Sequence, residues 1–386
     1  MTFFNRRNFL AGAMFLGAGL LAGCHRASVS PSAASVIKIG SLNSMTGDES
    51  TFGKSCNSGI RLAAEQQNAR GGLLGKKIRI ITADSESSPS KAQLAVLSLI
   101  DNHHVVAVLG DVASSNTKAA VPRCQKARIP LITPASTNPN ILRGDDYCFR
   151  TCFTDTTQGK WIARFARHDL HATRAALLVD TKQAYSTGLA RVIRAEFTRL
   201  GGKILLAPSY QSGDTNFQTQ LTQIKAAHPQ VVFLPGYYGD VTTILQQARE
   251  LKITVPFVGG DGWDSQKTLQ IGGKAVDGCY FTNHYDPSDP APRVQKFVKA
   301  YEARYHGNVP DAMAVLGYDA ANLLFNAIKR AHGTGEPALR NAIATTKNFP
   351  GVTGNITINK HRNAIKPGVV IKIEHDKFVV VKHEKP

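Results

Sequence analysis

Two short stretches place hydroxyl side chains where they could hold a charged ligand. In "GDVASSNTKAA", Gly110 to Ala120, an apolar run (105–109) ends in Ser114 and Ser115 and leads into helix-forming residues. In "PLITPASTN", Pro130 to Asn138, a second apolar run ends in Ala135, Ser136 and Thr137. Where a strand hands over to a helix, the first backbone N–H groups of the helix have no partner of their own, and the helix dipole favours an anion there. Serine and threonine add hydroxyl donors to the same spot. Any one such hydroxyl is ordinarily a helix N-cap, worth about 1 kcal/mol. Several converging from neighbouring strands read as a carboxylate site.

Other chemistries lack their residues. A serine nucleophile needs an adjacent base and commonly a G-x-S-x-G turn. "DVASSN" has no flanking glycines, and no histidine falls at another predicted strand end; His103 and His104 precede the strand. No G-x-G-x-x-G follows the first strand, and no G-x-x-x-x-G-K-[ST] occurs. The twelve histidines are scattered, and "HDLH" (168–171) sits at a helix end facing solvent. The reading is therefore a binding protein without catalysis, cofactor or metal.

The elements that position these residues alternate regularly. Apolar runs at 36–42, 78–83, 105–110 and 130–135 are separated by amphipathic segments such as 55–69, which stops at Gly71-Gly72. The pattern then starts again, with runs at 175–180, 203–210, 231–237 and 256–261 and helices near 187–200, 215–227 and 240–251. Alternation of this kind predicts parallel sheets with helices on both faces. Two units of similar length predict an α/β protein of two doubly wound, Rossmann-like lobes joined by three crossings. The expected first lobe is 36–154 with 285–361, and the second 155–284 with 362–386. Long helices are expected near 291–306 and 311–332, and an antiparallel hairpin over 368–381 turns near His375-Asp376. In open parallel sheets ligands sit beyond the carboxyl ends of the strands.

The chain has 386 residues and a formal net charge of +18, but its lysines and arginines form no long block. With no zinc-finger spacing or aromatic–basic motif, nucleic acid is not an expected partner. The N-terminus has Arg6-Arg7, an apolar stretch too short for a stable span, and "LAGC" (21–24). That combination resembles a lipoprotein signal peptide over 1–23, with Cys24 as the lipidated residue; "NRRNFL" also resembles a twin-arginine export signal. Residues 24–35 read as a Ser/Ala/Pro tether. Five cysteines remain beyond Cys24, an odd number that leaves at least one thiol free. Cys148 and Cys152, about 13 Å apart in an extended strand, are too far apart to bridge.

Six stretches in order resemble the leucine/isoleucine/valine-binding proteins of bacterial ABC importers. They are "IKIGSLNSMTGDESTFG", "ASSNTKAA", "ITPAST", "DTKQAYSTGLA", "PGYYGD" and "FVGGDGW". The resemblance covers almost the whole chain after the tether and implies a type I periplasmic-binding fold. It implies that Ser114, Ser136 and Thr137 hold a ligand α-carboxylate and that Tyr185, Tyr237 and Asp261 come from the second lobe. Asp261 would meet the α-ammonium. It further implies a permease in the inner membrane as partner, and closure around the ligand as the signal to it. A zwitterion needs donors on one side and an acceptor on the other, and Asp261 is the acid at a predicted strand end beside Tyr237. Two departures bear on the ligand: Asp261 stands where leucine binders commonly carry glutamate, and Phe52 where a larger aromatic with a polar tip is often found. The alternative within the same fold is a receptor for amides or other small metabolites.

Overall fold

The computed structural model describes residues 36–386, which form one compact unit. The expected signal peptide over 1–23, Cys24 and the expected tether lie outside the described residues. The first sheet contains β1 (Ile37–Asn43), β2 (Ile78–Asp84), β3 (Val108–Gly110), β4 (Leu131–Thr133) and β5 (Cys148–Arg150). Its order is β2-β1-β3-β4-β5, and every pairing is parallel. Helices α1 (Ser50–Ala69), α2 (Pro89–Asp101) and α3 (Ser114–Ala127) connect the first four strands. The strands are apolar on both sides because both faces are covered. Ile39, Leu109 and Ile132 pack toward α1, while Leu42, Val108 and Leu131 pack toward α2 and α3.

The chain then crosses to a second lobe through residues 151–154 and enters α4 (Asp155–Arg164). The second sheet repeats the plan with β6 (Arg174–Leu177), β8 (Lys203–Leu206), β10 (Val231–Phe233), β11 (Phe257–Gly259) and β12 (Tyr280–Asn283). A short parallel pair, β7 (Val179–Asp180) with β9 (Ser209–Tyr210), continues beyond it, so the single run expected over 175–180 is broken at Leu178. Helices α5 (Ala184–Arg199), α6 (Gln218–Ala226), α7 (Tyr238–Glu250) and α8 (Gln266–Gly272) cover its faces. Ala176, Val232 and Phe257 face α6 and α7, and Ala175, Val231 and Phe233 face α4 and α5.

After β12 the chain returns to the first lobe through α9 (Pro292–Arg304), α10 (Ala312–Arg330) and α11 (Ala338–Ala344). A small antiparallel ribbon follows: β13 (Phe349–Gly351), β14 (Gly354–Ile358) and β15 (Ala364–Ile365). Because β15 pairs with β14, the ribbon runs past 361 and the third crossing falls at Lys366-Pro367. The hairpin of β16 (Gly368–Glu374) and β17 (Lys377–Glu384) then adds antiparallel strands to the second sheet beside β12.

One contact matters for the site. Helix α10 lies against α1 at close range because two glycines face the contact. A Cβ on Gly59 would stand 1.8 Å from the Ala314 carbonyl oxygen, and one on Gly317 would stand 2.3 Å from that of Cys56. No larger residue fits either position. The crossing seats Phe52 of α1 and Met313 of α10 at the mouth of the cleft between the lobes.

Candidate functional site

A small cavity lies between the lobes at the strand ends. The first lobe lines it with Phe52, Val112, Ser114, Ala135, Thr137 and Met313. The second lobe contributes Tyr185, Tyr237, Asp261 and Gly262. Seven of the eight expected ligand residues thus surround one space.

Ser136 does not face it. The Asp111 carbonyl oxygen accepts hydroxyls from Thr117 (2.9 Å), Thr133 (2.7 Å) and Ser136 (3.0 Å), and the Ser136 and Thr117 hydroxyls are themselves 2.6 Å apart. The Ser136 hydroxyl is therefore consumed inside the lobe, tying the two strand ends together, and is not free to meet a carboxylate. The Ser136 carbonyl takes Arg150 Nη1 at 2.8 Å, and the Asn138 carbonyl takes Nη2 at 2.8 Å. A fully buried guanidinium thereby shapes the loop that carries Thr137.

Ser114 begins α3, and Ala113 occupies the N-cap position with no side-chain cap. The helix N-terminus is thus left without a side-chain cap at the cavity that Ser114 and Tyr237 line together. Gly110 makes the turn possible: its φ is +125°, and a Cβ there would stand 1.7 Å from the Leu42 carbonyl oxygen.

Across the cavity, Asp261 opens a tight turn after β11 and is almost wholly buried. Gln158 Nε2 donates to its Oδ1 at 2.9 Å, and His284 Nε2 lies 2.9 Å from its Oδ2. Tyr185 and Tyr237 stack at 5.0 Å between centroids, and the Tyr185 hydroxyl accepts from the Gly262 N–H at 3.1 Å. Phe52 meets Tyr237 and Tyr238 edge-on at 5.9 and 4.9 Å, making an aromatic wall across both lobes.

The lobes are in contact around this space. Ser115 Oγ donates to Gln183 Oε1 and accepts from the Ala184 N–H, both at 3.0 Å, and the Tyr238 hydroxyl donates to the Asp48 carbonyl at 2.6 Å. Glu49 Oε1 accepts from Gln183 Nε2 at 3.3 Å. These carboxyls have been drawn out of water. Burial, with Asp111 adding repulsion, pushes Glu49 up to about 8. Burial also pushes Asp155 up to about 7 and Asp111 to about 6, and holds His284 down to about 4.

Comparison with known proteins settles the family. A profile described as "Periplasmic binding protein" matches residues 36–377. The chain belongs to the periplasmic binding proteins. Among relatives, an "Amino acid binding protein" of Pseudomonas aeruginosa is 32% identical over 308 residues, covering 78% of this chain and 80% of that protein. The crystal structure of a leucine binding protein, LivK, from Thermotoga maritima superposes with a TM-score of 0.87 at 35% identity, covering 91% of this chain and 99% of the other. The branched-chain amino acid transporter substrate binding protein LivJ from Streptococcus pneumoniae, in complex with isoleucine, gives 0.85 at 32% identity, covering 91% and 99%.

Two polar residues that hold Asp261 beside this cavity were not visible in the sequence of this periplasmic binding protein. His284 follows β12, whose "YFTN" is too short and too polar to announce a strand, so a histidine does fall at a strand end after all. It is bonded to Asp261 and not to a serine, so it forms no nucleophile–base pair with Ser114. Gln158 is 103 residues from Asp261 along the chain, and no local pattern marks it. The five cysteines 56, 124, 148, 152 and 279 are all buried free thiols.

Proposed function

We propose that this periplasmic binding protein is the lipid-anchored, extracytoplasmic receptor of an ABC importer for an amino acid with a branched or similar apolar side chain. One observation carries the reading. The uncapped start of α3 and the Thr137 loop face the Asp261 carboxylate across a buried cavity otherwise lined by apolar and aromatic groups. Donors at Ser114, Ala135 and Thr137 suit a carboxylate; Asp261 suits an ammonium; Phe52, Val112, Met313, Tyr185 and Tyr237 suit an apolar side chain. A zwitterion buried here has each charge paired, which burial requires.

In this reading the lobes, 36–154 with 285–365 and 155–284 with the C-terminal hairpin, close by hinge motion at the three crossings. The ligand bridges them and so favours the closed form, which an inner-membrane permease recognises. Relatives named for amino acids or for leucine, isoleucine and valine support the ligand class, and the "LAGC" motif supports anchoring at Cys24. The test is calorimetry against the twenty amino acids, their des-amino acids, urea and short amides. Tight binding of an apolar amino acid is expected. An amide bound more tightly than every amino acid refutes the reading.

A further inference from the structure

The Asp261 carboxylate is held at both oxygens. Gln158 Nε2 gives one hydrogen to Asp261 Oδ1 and the other to Asp155 Oδ1, each at 2.9 Å. The amide cannot be turned round, because its oxygen accepts from the Thr282 hydroxyl at 2.9 Å and the Asp261 N–H at 3.3 Å. The other Asp261 oxygen faces His284 Nε2. His284 is buried, with its ring stacked on Phe153 at 3.8 Å and 18°, and its Nδ1 has no partner among the described residues. A proton on Nδ1 would be buried without an acceptor, so the ring carries its single proton on Nε2 and is neutral.

The nearby cations are engaged elsewhere. Lys366 bonds the Thr353 hydroxyl beside Asp319, and Arg150 is spent on the Ser136 and Asn138 carbonyls. Asp155, joined to Asp261 through Gln158, adds a second carboxyl, and its Oδ2 is buried without a partner among the described residues.

We infer that Gln158 and His284 are positioning residues that set the charge the ligand must carry. Each fixes one Asp261 oxygen with a neutral donor, so the carboxylate is immobilised while its charge stays available to a cationic group in the cleft. A charged donor at either place would orient Asp261 equally well but cancel that demand. The inference rests on Asp261 being the ammonium acceptor. Both donors sit beside the crossings, Gln158 in the first turn of α4 and His284 directly after β12, so they stay with Asp261 as the lobes move.

The experiment compares L-leucine with its des-amino analogue 4-methylpentanoate by calorimetry, on wild type, His284→Gln and His284→Lys, with melting temperatures as the check on folding. Wild type should favour leucine by about a hundredfold or more, the scale of a buried charge pair. His284→Gln, which restores a neutral donor, should keep that ratio within about threefold, while His284→Lys should reduce it to about tenfold or less. A folded His284→Lys that keeps the wild-type ratio, or a His284→Gln that loses as much as His284→Lys, overturns the positioning role while leaving the ammonium site intact. A wild type that does not discriminate overturns the ammonium site itself. Nitrogen-15 spectra of wild-type histidines provide a readout independent of any variant. A neutral Nε2–H ring for His284 at pH 7 supports the inference, and an imidazolium there refutes it.

Discussion

Asparagine at position 261 would remove one charge at nearly constant shape, and the structure says how far the fold can accept it. The new Oδ1 can keep the hydrogen from Gln158 Nε2, which now reaches Asp261 at 2.9 Å. The new Nδ2 would confront His284 Nε2, also a donor, unless the imidazole moves its proton to Nδ1. Nδ1 is buried with no partner, so that change costs about 1–3 kcal/mol of stability, the scale of one unsatisfied buried donor. The effect on the ligand is larger. Breaking a buried ion pair costs about 3–5 kcal/mol, which is roughly two to three and a half decades in Kd. A des-amino acid has no ammonium to lose, so its affinity should hold or improve. Calorimetry with the amino acid and its des-amino acid, on wild type and Asp261→Asn, measures both. If a folded Asp261→Asn weakens the amino acid by less than tenfold, the acid does not meet the ammonium. Equal weakening of both ligands would mean that Asp261 serves only the shape of the pocket.

Three other outcomes are expected, the first from the sequence motif and two from the structure. Cys24→Ser should release the protein from membranes or block its processing, and mass spectrometry showing an unmodified N-terminus beyond Cys24 in the wild type would refute anchoring there. Glu49, whose folded pKa of about 8 lies above its ordinary 4.5, binds a proton in the folded state that the unfolded chain has already released; its contribution is complete below pH 4.5 and is lost as pH rises through 8. Glu49→Gln should therefore shrink the fall in melting temperature between pH 5 and about 9, leaving the part due to the other raised carboxyls, Asp155, Asp264, Asp111 and Asp240, and an unchanged slope would refute this. Arg150→Met takes both guanidinium hydrogen bonds from the Ser136 and Asn138 carbonyls, leaving them the Cys152 thiol at 3.5 Å and the Ile141 N–H at 3.4 Å, and should cost about 1–3 kcal/mol in all; chemical denaturation finding less than about 1 kcal/mol would show that the guanidinium does not hold the loop.

The alternation of strand and helix was legible because it depends on near neighbours. Apolar runs such as 105–110 are bounded by turn residues, and each is long enough to cross a sheet covered on both faces. The terminal hairpin was equally plain, with strands meeting at His375-Asp376. Placing hydroxyls and an acid at strand ends follows from that order alone, since a parallel sheet sends all its carboxyl ends to one side.

Which hydroxyl faces the cavity was not legible. Ser114 and Ser136 look alike in sequence, yet only the folded loop shows Ser136 competing with Thr117 and Thr133 for one carbonyl. Gln158 and His284 were hidden for a related reason: they meet Asp261 across 103 and 23 residues of chain, at two crossings between lobes. Periodicity reports the face of an element on which a residue lies. The partner it meets there is decided by how the elements pack, so strand-end residues such as Ser114 and Asp261 could be brought to one side of the sheets from sequence, while Met313 from α10 and the residues that hold Asp261 in position could not.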